Sequence, residues 1–301
     1  MTPAPCKLCG ATAILEKSHI LPAFVFRWMK DTSATGYLRF GGKPNRRVQN
    51  GERRYWLCRG CETRLCQWET EFAAQVFHPL ISDGGQRIPY QEWMLKFAVS
   101  VSWRVLSLFV EDDRLRRLND GQRLAVDVAL KRWSDFLLGS EAHPGVHEQH
   151  FLAFDAVEFF TASDVPPNIN RYLLRAADID VGVGDTGTFV YSKVAKFMLV
   201  GFVDMPFRKQ WVGTKISLRK GWVGQGNFTV PKNFGDFIFS KCRHATAVKE
   251  RISQKQQATI EKSMRNDLDR VAASASFAVL SRDVNMFGGT AFGRKDSGNE
   301  Q

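Results

Sequence analysis

Two short thiol pairs, Cys6-Lys7-Leu8-Cys9 and Cys58-Arg59-Gly60-Cys61, constrain this chain more than any other feature. A CxxC turn offers two thiolates from one tight knuckle. Two knuckles complete the tetrahedron that zinc prefers, with zinc–sulfur distances of about 2.3 Å. Gly10 follows the first knuckle and Gly60 sits inside the second, where glycine eases the turn. Five of the six cysteines lie in the first 66 residues. No basic stretch leads into an apolar run at the start, so the expected compartment is the cytoplasm, where metal binding outweighs disulfides. The expected ligands of a structural Zn²⁺ are therefore Cys6, Cys9, Cys58 and Cys61, with Cys66 as the alternative thiol. Such a metal contributes on the order of 10–16 kcal/mol of apparent binding free energy, more than a basic segment of this size gains from its own core.

The spacing between the pairs carries further information. In small zinc ribbons they are about 15–20 residues apart, whereas 48 residues separate Cys9 from Cys58 here. The insertion holds Ser18-His19-Ile20-Leu21-Pro22, a turn-rich stretch at 41–45, and the basic pairs Arg46-Arg47 and Arg53-Arg54. Residues 1–66 contain twelve Lys and Arg against four Asp and Glu, an excess of +8 out of +11 for the whole chain. That concentration favours a polyanion, nucleic acid above all, over a basic surface kept for solubility.

The chain of 301 residues is 44% hydrophobic and 24% charged, a balance that supports a real core and up to two domains. Asp83-Gly84-Gly85 ends the cysteine-rich region. Glu92 to Val110 reads as a helix apolar on nearly every side. Its most apolar part, Met94 to Val110, is too short for a bilayer, where about 20 residues are needed, and it carries Lys96 and Arg104; no membrane association is expected. Asn119 or Asp120 caps a second helix that runs to about Leu138, with Leu124, Val128, Leu130, Trp133 and Leu137 on its apolar side and Gly139 as its stop. Strands are predicted over 151–160, 188–203, 211–218 and 222–230, with Lys220-Gly221 at a turn and Pro231 opening a helical segment. Residues 171–177 read as a short helix or an extended connection. Residues 244–273 read as one long polar helix with a stripe of Ile252, Ile260, Met264, Leu268 and Val271, fit to pack on this region or to form a homodimer or hold a partner protein. Residues 288–301 are expected to be disordered.

Taken together, the cysteine pairs, the Ser-His-Ile-Leu-Pro stretch and Leu57-Cys58-Arg59-Gly60-Cys61-Glu62 resemble the HNH (His-Asn-His) endonuclease family over residues 1–82. That family places a CxxC before a strand ending in Asp-His-Ile-x-Pro, and a second CxxC followed by histidine on a short helix. Here Ser18 stands in place of the aspartate, Arg53 near the expected asparagine, with Asn50 close by, and Glu62 in place of the last histidine. The resemblance implies an α+β chain that begins with a zinc-bound ββα domain of treble-clef type. It implies a metal-dependent endonuclease cutting phosphodiester bonds of DNA, in bacterial defence or mobile-element biology by analogy. His19 would be the general base, beside catalytic Mg²⁺ or Mn²⁺.

Read on their own chemistry, the same residues keep alternatives open. His19 is otherwise a fourth ligand in a Cys₃His site or a structural histidine. Glu62 offers hard oxygen to a divalent cation. If a helix starts near Cys61, Glu62, Cys66 and Glu69 share a face, so Glu69 is a second carboxylate for that cation or simply a solvated residue; His78 is more distant. Arg46, Arg47, Arg53, Arg54 and Arg59 are the expected phosphate contacts. A non-catalytic zinc-finger protein that binds nucleic acid or regulates is the alternative function. Residues 90–275, a helical and mainly antiparallel α+β domain, carry no motif for chemistry. Arg208, Lys209, Arg219 and Lys220 form a second basic group near Trp211 and Trp222, either core tryptophans or a track for a nucleic-acid strand.

Overall fold

The structure, a computed structural model, describes residues 2–83, 85–184, 187–224 and 226–292. In chain order the strands are β1 (Ala4–Pro5), β2 (Thr12–Ala13), β3 (Leu15–His19), β4 (Leu38–Phe40), β5 (Lys43–Val48), β6 (Arg53–Cys58), β7 (Arg87–Gln91), β8 (Gln149–Ala153), β9 (Ala176–Gly184), β10 (Gly187–Ala195), β11 (Phe197–Asp204) and β12 (Lys220–Gly224). The helices are α1 (Ala23–Asp31), α2 (Arg59–Phe72), α3 (His78–Ser82), α4 (Trp93–Glu111), α5 (Asp120–Leu138), α6 (Ile169–Leu174), α7 (Lys232–Glu250), α8 (Gln254–Arg265), α9 (Leu268–Ala273) and α10 (Ala275–Phe287). The architecture is α+β with small, mainly antiparallel sheets.

The chain forms two compact units, each assembled from three separate stretches. The first takes residues 1–23, 51–153 and 177–230; the second takes 24–50, 154–176 and 231–301. The ranges 1–82 and 90–275 read from the sequence each contribute to both units.

The first unit is organised by α4. Fifteen of its nineteen residues are buried, Trp103 and Arg104 among them. It is the one helix among the described residues long and apolar enough to cross a membrane, and 83% of its apolar window is buried within the protein. Phe72 of α2 stacks on Phe97 of α4 at 4.1 Å, with Phe151 and Phe197 edge-on. A four-stranded sheet, order β8–β11–β10–β9, lies against α4. The predicted strand at 188–203 is a hairpin, with Tyr191 opposite Val200 and a reversal at Ala195, whose φ is 54°. The buried Lys193 ammonium serves that reversal, donating to the carbonyl oxygens of Ala195 and, at 3.3 Å, Phe197.

Helix α5 begins and ends as its sequence dictates. Asn119 accepts from Gln122 N and Gln122 reciprocates to the Asn119 N–H, a capping box. Gly139 closes the helix with φ 87°. Its buried face differs from the predicted one: Val126, Ala129, Trp133, Phe136 and Leu137 face inward, while Leu124 and Val128 are exposed.

From Arg59 to Ser82 the backbone is one helical rod, because the residues joining α2, a π-turn at Ala73–Phe77 and α3 keep helical angles. Pro79 explains the π-turn. It lacks an N–H and its ring crowds the carbonyl four residues back, and a wider turn just upstream accommodates both.

Several predicted strands are shorter or absent. The 151–160 strand ends at Ala153, and 211–218 contributes only isolated bridges at Val212 and Lys215. Lys220-Gly221, read as a turn, lies inside β12, which stops at Gly224 instead of Val230. The β12–β7 pair stands alone as a two-stranded sheet.

In the second unit, the long helix predicted at 244–273 is three helices. Ser253 and Asp267 each accept a backbone N–H three residues on, so two N-caps interrupt the period. Ser274 caps α10 in the same way, which makes the C-terminal part a series of short helices. Asp283, fully buried, ties α10 to α6 by accepting from Asn170 N and Arg171 Nε, both at 2.8 Å. Residues 288–292, expected to be disordered, form a 3₁₀ turn; 293–301 lie outside the described residues. Among the described residues, the segment at 171–177 resolves into α6 followed by the start of β9.

Candidate metal centre and the strand–helix site beside it

The first knuckle is the turn between β1 and β2, which pair Ala4 with Ala13 and Pro5 with Thr12. Gly10 donates to the Cys6 carbonyl at 2.8 Å with φ +75°, a conformation that side-chain-bearing residues rarely adopt. Lys7 N donates to the Trp56 carbonyl at 2.8 Å, which ties this knuckle to β6. Cys58 is both the last residue of β6 and the N-cap of α2, and Cys61 lies in the first helical turn. The second pair thus sits at a helix N-terminus, where unsatisfied N–H groups favour thiolates.

All four sulfurs lie within 4.8 Å of one another, and Cys9 Sγ is 3.8 Å from Cys58 Sγ. A regular tetrahedron with arms of about 2.3 Å has edges of about 3.8 Å, so the thiols are spaced to hold a metal ion such as zinc. The electrostatics fit the same purpose. Burial opposes ionisation of Cys6, but the backbone around Cys9, Cys58 and Leu8 hydrogen-bonds its sulfur and brings it down to about 7. Burial, then the neighbouring Cys9 and Cys58 thiols, push Cys61 far up. Closely packed thiolates repel one another, and a divalent cation at their centre removes that conflict. Cys66 is exposed on α2 and is not part of the cluster.

Beside the cluster, β3 and β6 pair antiparallel, with Lys17 opposite Tyr55, Ser18 opposite Arg54 and His19 opposite Arg53. α2 follows β6 directly. Glu62, in its first turn, accepts from Ser18 Oγ at 2.5 Å, and Ser18 is fully buried. Two of the three positions at which the sequence departs from the HNH pattern, Ser18 and Glu62, are therefore in contact. Successive side chains along a strand point to opposite faces. His19, half-buried, accordingly shares its face with Lys17, Arg53 and Tyr55 rather than with Ser18. An open groove of about 540 Å³ runs along α2 beside Glu62, lined by Glu16, Arg59, Cys66 and Glu71 among others, and not by His19.

Glu69 is engaged elsewhere. Its carboxylate accepts from Arg104 Nη1 at 2.6 Å, and the same nitrogen donates to the His19 carbonyl at 2.9 Å. Burial, partly countered by Arg104, raises the Glu69 carboxyl. Arg104 thus locks α4 to α2 and to the end of β3. The signal for it lay in the sequence: an arginine inside a long apolar run enters a core only with a partner. His78 is exposed at the start of α3.

The five arginines differ in availability. Arg53 and Arg59 are exposed, Arg59 being 90% accessible with Glu16 at 3.9 Å. Arg54 is taken up by Glu52 at 2.8 Å and Asp112 at 3.1 Å. Arg46 and Arg47 belong to the second unit on β5, where Arg47 lies 3.9 Å over the Tyr37 ring.

A polar cluster that the sequence did not flag surrounds His150. Its ring stacks on Phe202 at 4.2 Å, Nδ1 meets Thr214 Oγ1 at 2.8 Å, and Nε2 lies 3.6 Å from Glu148. Lys215 pairs with the same carboxylate at 2.8 Å. The hydroxyl, imidazole and carboxylate are in catalytic order, but His150 is 1% and Thr214 3% exposed, so the group is a buried structural network.

No family model, curated protein or solved structure matches this chain.

Proposed function

We propose that the protein is a metal-dependent endonuclease of HNH type, whose zinc-bound, treble-clef ββα module hydrolyses phosphodiester bonds of DNA. The observation that carries this reading is the closure of β3, β6 and α2 beside the thiol cluster, which brings Glu62 onto Ser18, the neighbour of His19. His19 would take a proton from the attacking water, a task suited to an imidazole near neutrality. Glu62, which lines the open groove, offers oxygen of the kind Mg²⁺ or Mn²⁺ takes, alongside water and phosphate. Such a cation, when bound, neutralises the charge that develops on the phosphate. Arg53 and Arg59 are exposed and can meet the phosphate backbone.

A second reading, a zinc-stabilised nucleic-acid-binding protein without catalysis, is favoured by the engagement of Glu69 with Arg104 and by the absence of His19 from the groove that Glu62 lines. Plasmid DNA incubated with Mg²⁺ or Mn²⁺ separates the two. The nuclease cuts, and His19→Ala abolishes cutting while leaving zinc content unchanged. Salt-dependent retardation of DNA without cleavage by any divalent metal would assign the binding role.

A further inference from the structure

We infer that the outer face of the two-stranded β7–β12 sheet is a stacking platform for unpaired bases of a nucleic-acid strand, centred on Trp222; this rests on the nucleic-acid reading above. The two tryptophans of the second basic group part company in the fold. Trp211 is buried at 6%, whereas Trp222 is 58% exposed. The alternation of the β7–β12 pair explains the exposure of Trp222. Val223 and Tyr90 point inward and are buried, and the Tyr90 hydroxyl accepts from Ser217 N at 2.8 Å, which anchors the inner face. Trp222 pairs with Pro89, Lys220 with Gln91, and Gly224 with Arg87, so Lys220, Trp222, Arg87 and Gln91 share the outer face.

The charge on this face is one-sided. The Arg87 guanidinium lies 6.0 Å from the Trp222 ring centre, at the edge of cation–π range. Arg219 and Lys220 are exposed next to it, and among the described residues no carboxylate is within ion-pair distance of Arg87, Arg219 or Lys220. The nearest acids along the chain are engaged or set at a helix start. Asp83 accepts from Gly85 N and from Gln86 Nε2 at 2.7 Å, and Glu92 precedes α4. An accessible indole flanked by uncompensated cations is the arrangement that single strands use, with bases on the ring and phosphates on the cations. Duplex DNA hides its base faces, so the platform selects an unpaired stretch.

The platform and Glu62 lie toward opposite ends of the Arg59–Ser82 rod, because Gly224 packs against Leu80 near its C-terminal end. Twenty residues separate Glu62 from Ser82, about 30 Å at 1.5 Å per residue. A substrate with a single-stranded segment adjoining the cleavage point spans that distance; a blunt duplex does not use it.

Fluorescence anisotropy of the full chain with a 20-nucleotide oligothymidine and with a blunt duplex tests this. Trp222→Ala is expected to weaken oligothymidine binding roughly ten- to a hundredfold and duplex binding by less than threefold. Trp222→Phe restores most of the loss, and Arg87→Ala with Lys220→Ala lowers the salt dependence by about two ions. Zinc content and the thermal midpoint show that the variants remain folded. Wild-type binding or cleavage with no effect of Trp222→Ala overturns this inference alone. A wild-type chain that binds neither oligothymidine nor duplex overturns the nucleic-acid reading with it. Self-association lost in Trp222→Ala, with strand binding intact, assigns the face to a protein interface instead.

Discussion

The thiol end of the first unit and its four-stranded sheet hold their backbones by different means. β1 and β2 are two residues each and contain no buried residue. β10 and β11 are nine and eight residues long, and seven residues of each are buried. The sheet persists because apolar area has left water and lies against α4. The knuckles have no comparable area, and a metal held by the four thiols would substitute for it. With such an ion bound, a short basic segment that would repel itself as a bare hairpin would become a rigid scaffold dependent on that ion.

The sharpest way to break this contrast is to remove the metal. Elemental analysis should give one zinc per chain. Chelation, or Cys58→Ser, should abolish hydrogen-exchange protection in β1, β2 and β3 while the β10–β11 amides stay protected, because on the order of 10 kcal/mol of apparent stabilisation is confined to the first region. Equal loss in both regions would show that the sheet also depends on the ion. A smaller effect probes what links the two regions. Arg104→Ala strands the Glu69 carboxylate in the core and frees the His19 carbonyl, with an expected loss of about 3–5 kcal/mol read as a lower urea midpoint. An unchanged midpoint would mean the pair contributes nothing net.

The smallest effect belongs to the sheet side alone. His150 first, then Lys215, hold the Glu148 carboxyl at about 2, below its ordinary 4.5. The folded state therefore prefers the ionised carboxylate. That stabilisation is complete above about pH 4.5 and is lost as pH falls toward 2. Solvent screening limits it to about 1–2 kcal/mol. Glu148→Gln should flatten the stability profile over that window; a profile parallel to wild type would place the acid sensitivity elsewhere.

Features that depend on near neighbours could be read from the sequence. The cysteine knuckles, the Asn119 cap, the Gly139 stop and the start of α2 near Cys61 are set within a few residues, and they stand where spacing puts them. Features decided at a distance were not legible. Glu69 was given the role of metal ligand or solvated residue because its partner, Arg104, is 35 positions away. The side on which α5 packs depended on elements that its period does not name. The stripe from Ile252 to Val271 predicts one helix, and Ser253 and Asp267, two caps within that helical pattern, divide it. Trp211 and Trp222 are chemically alike; Trp211 is buried against His150 and Phe202, while the alternation of the β7–β12 pair turns Trp222 outward.

The interleaved path of the chain gives the thiol cluster a place in time as well as in space. Both pairs have been synthesised by residue 61, whereas the β10–β11 hairpin is complete only at Asp204. A nascent chain can therefore close its 48-residue loop on a metal ion long before the sheet exists. That loop carries residues 24–50, which belong to the other unit. Early closure spares them the entropy of finding that geometry late in synthesis. Metal supply during translation would then govern the yield of correctly assembled protein as much as its final stability.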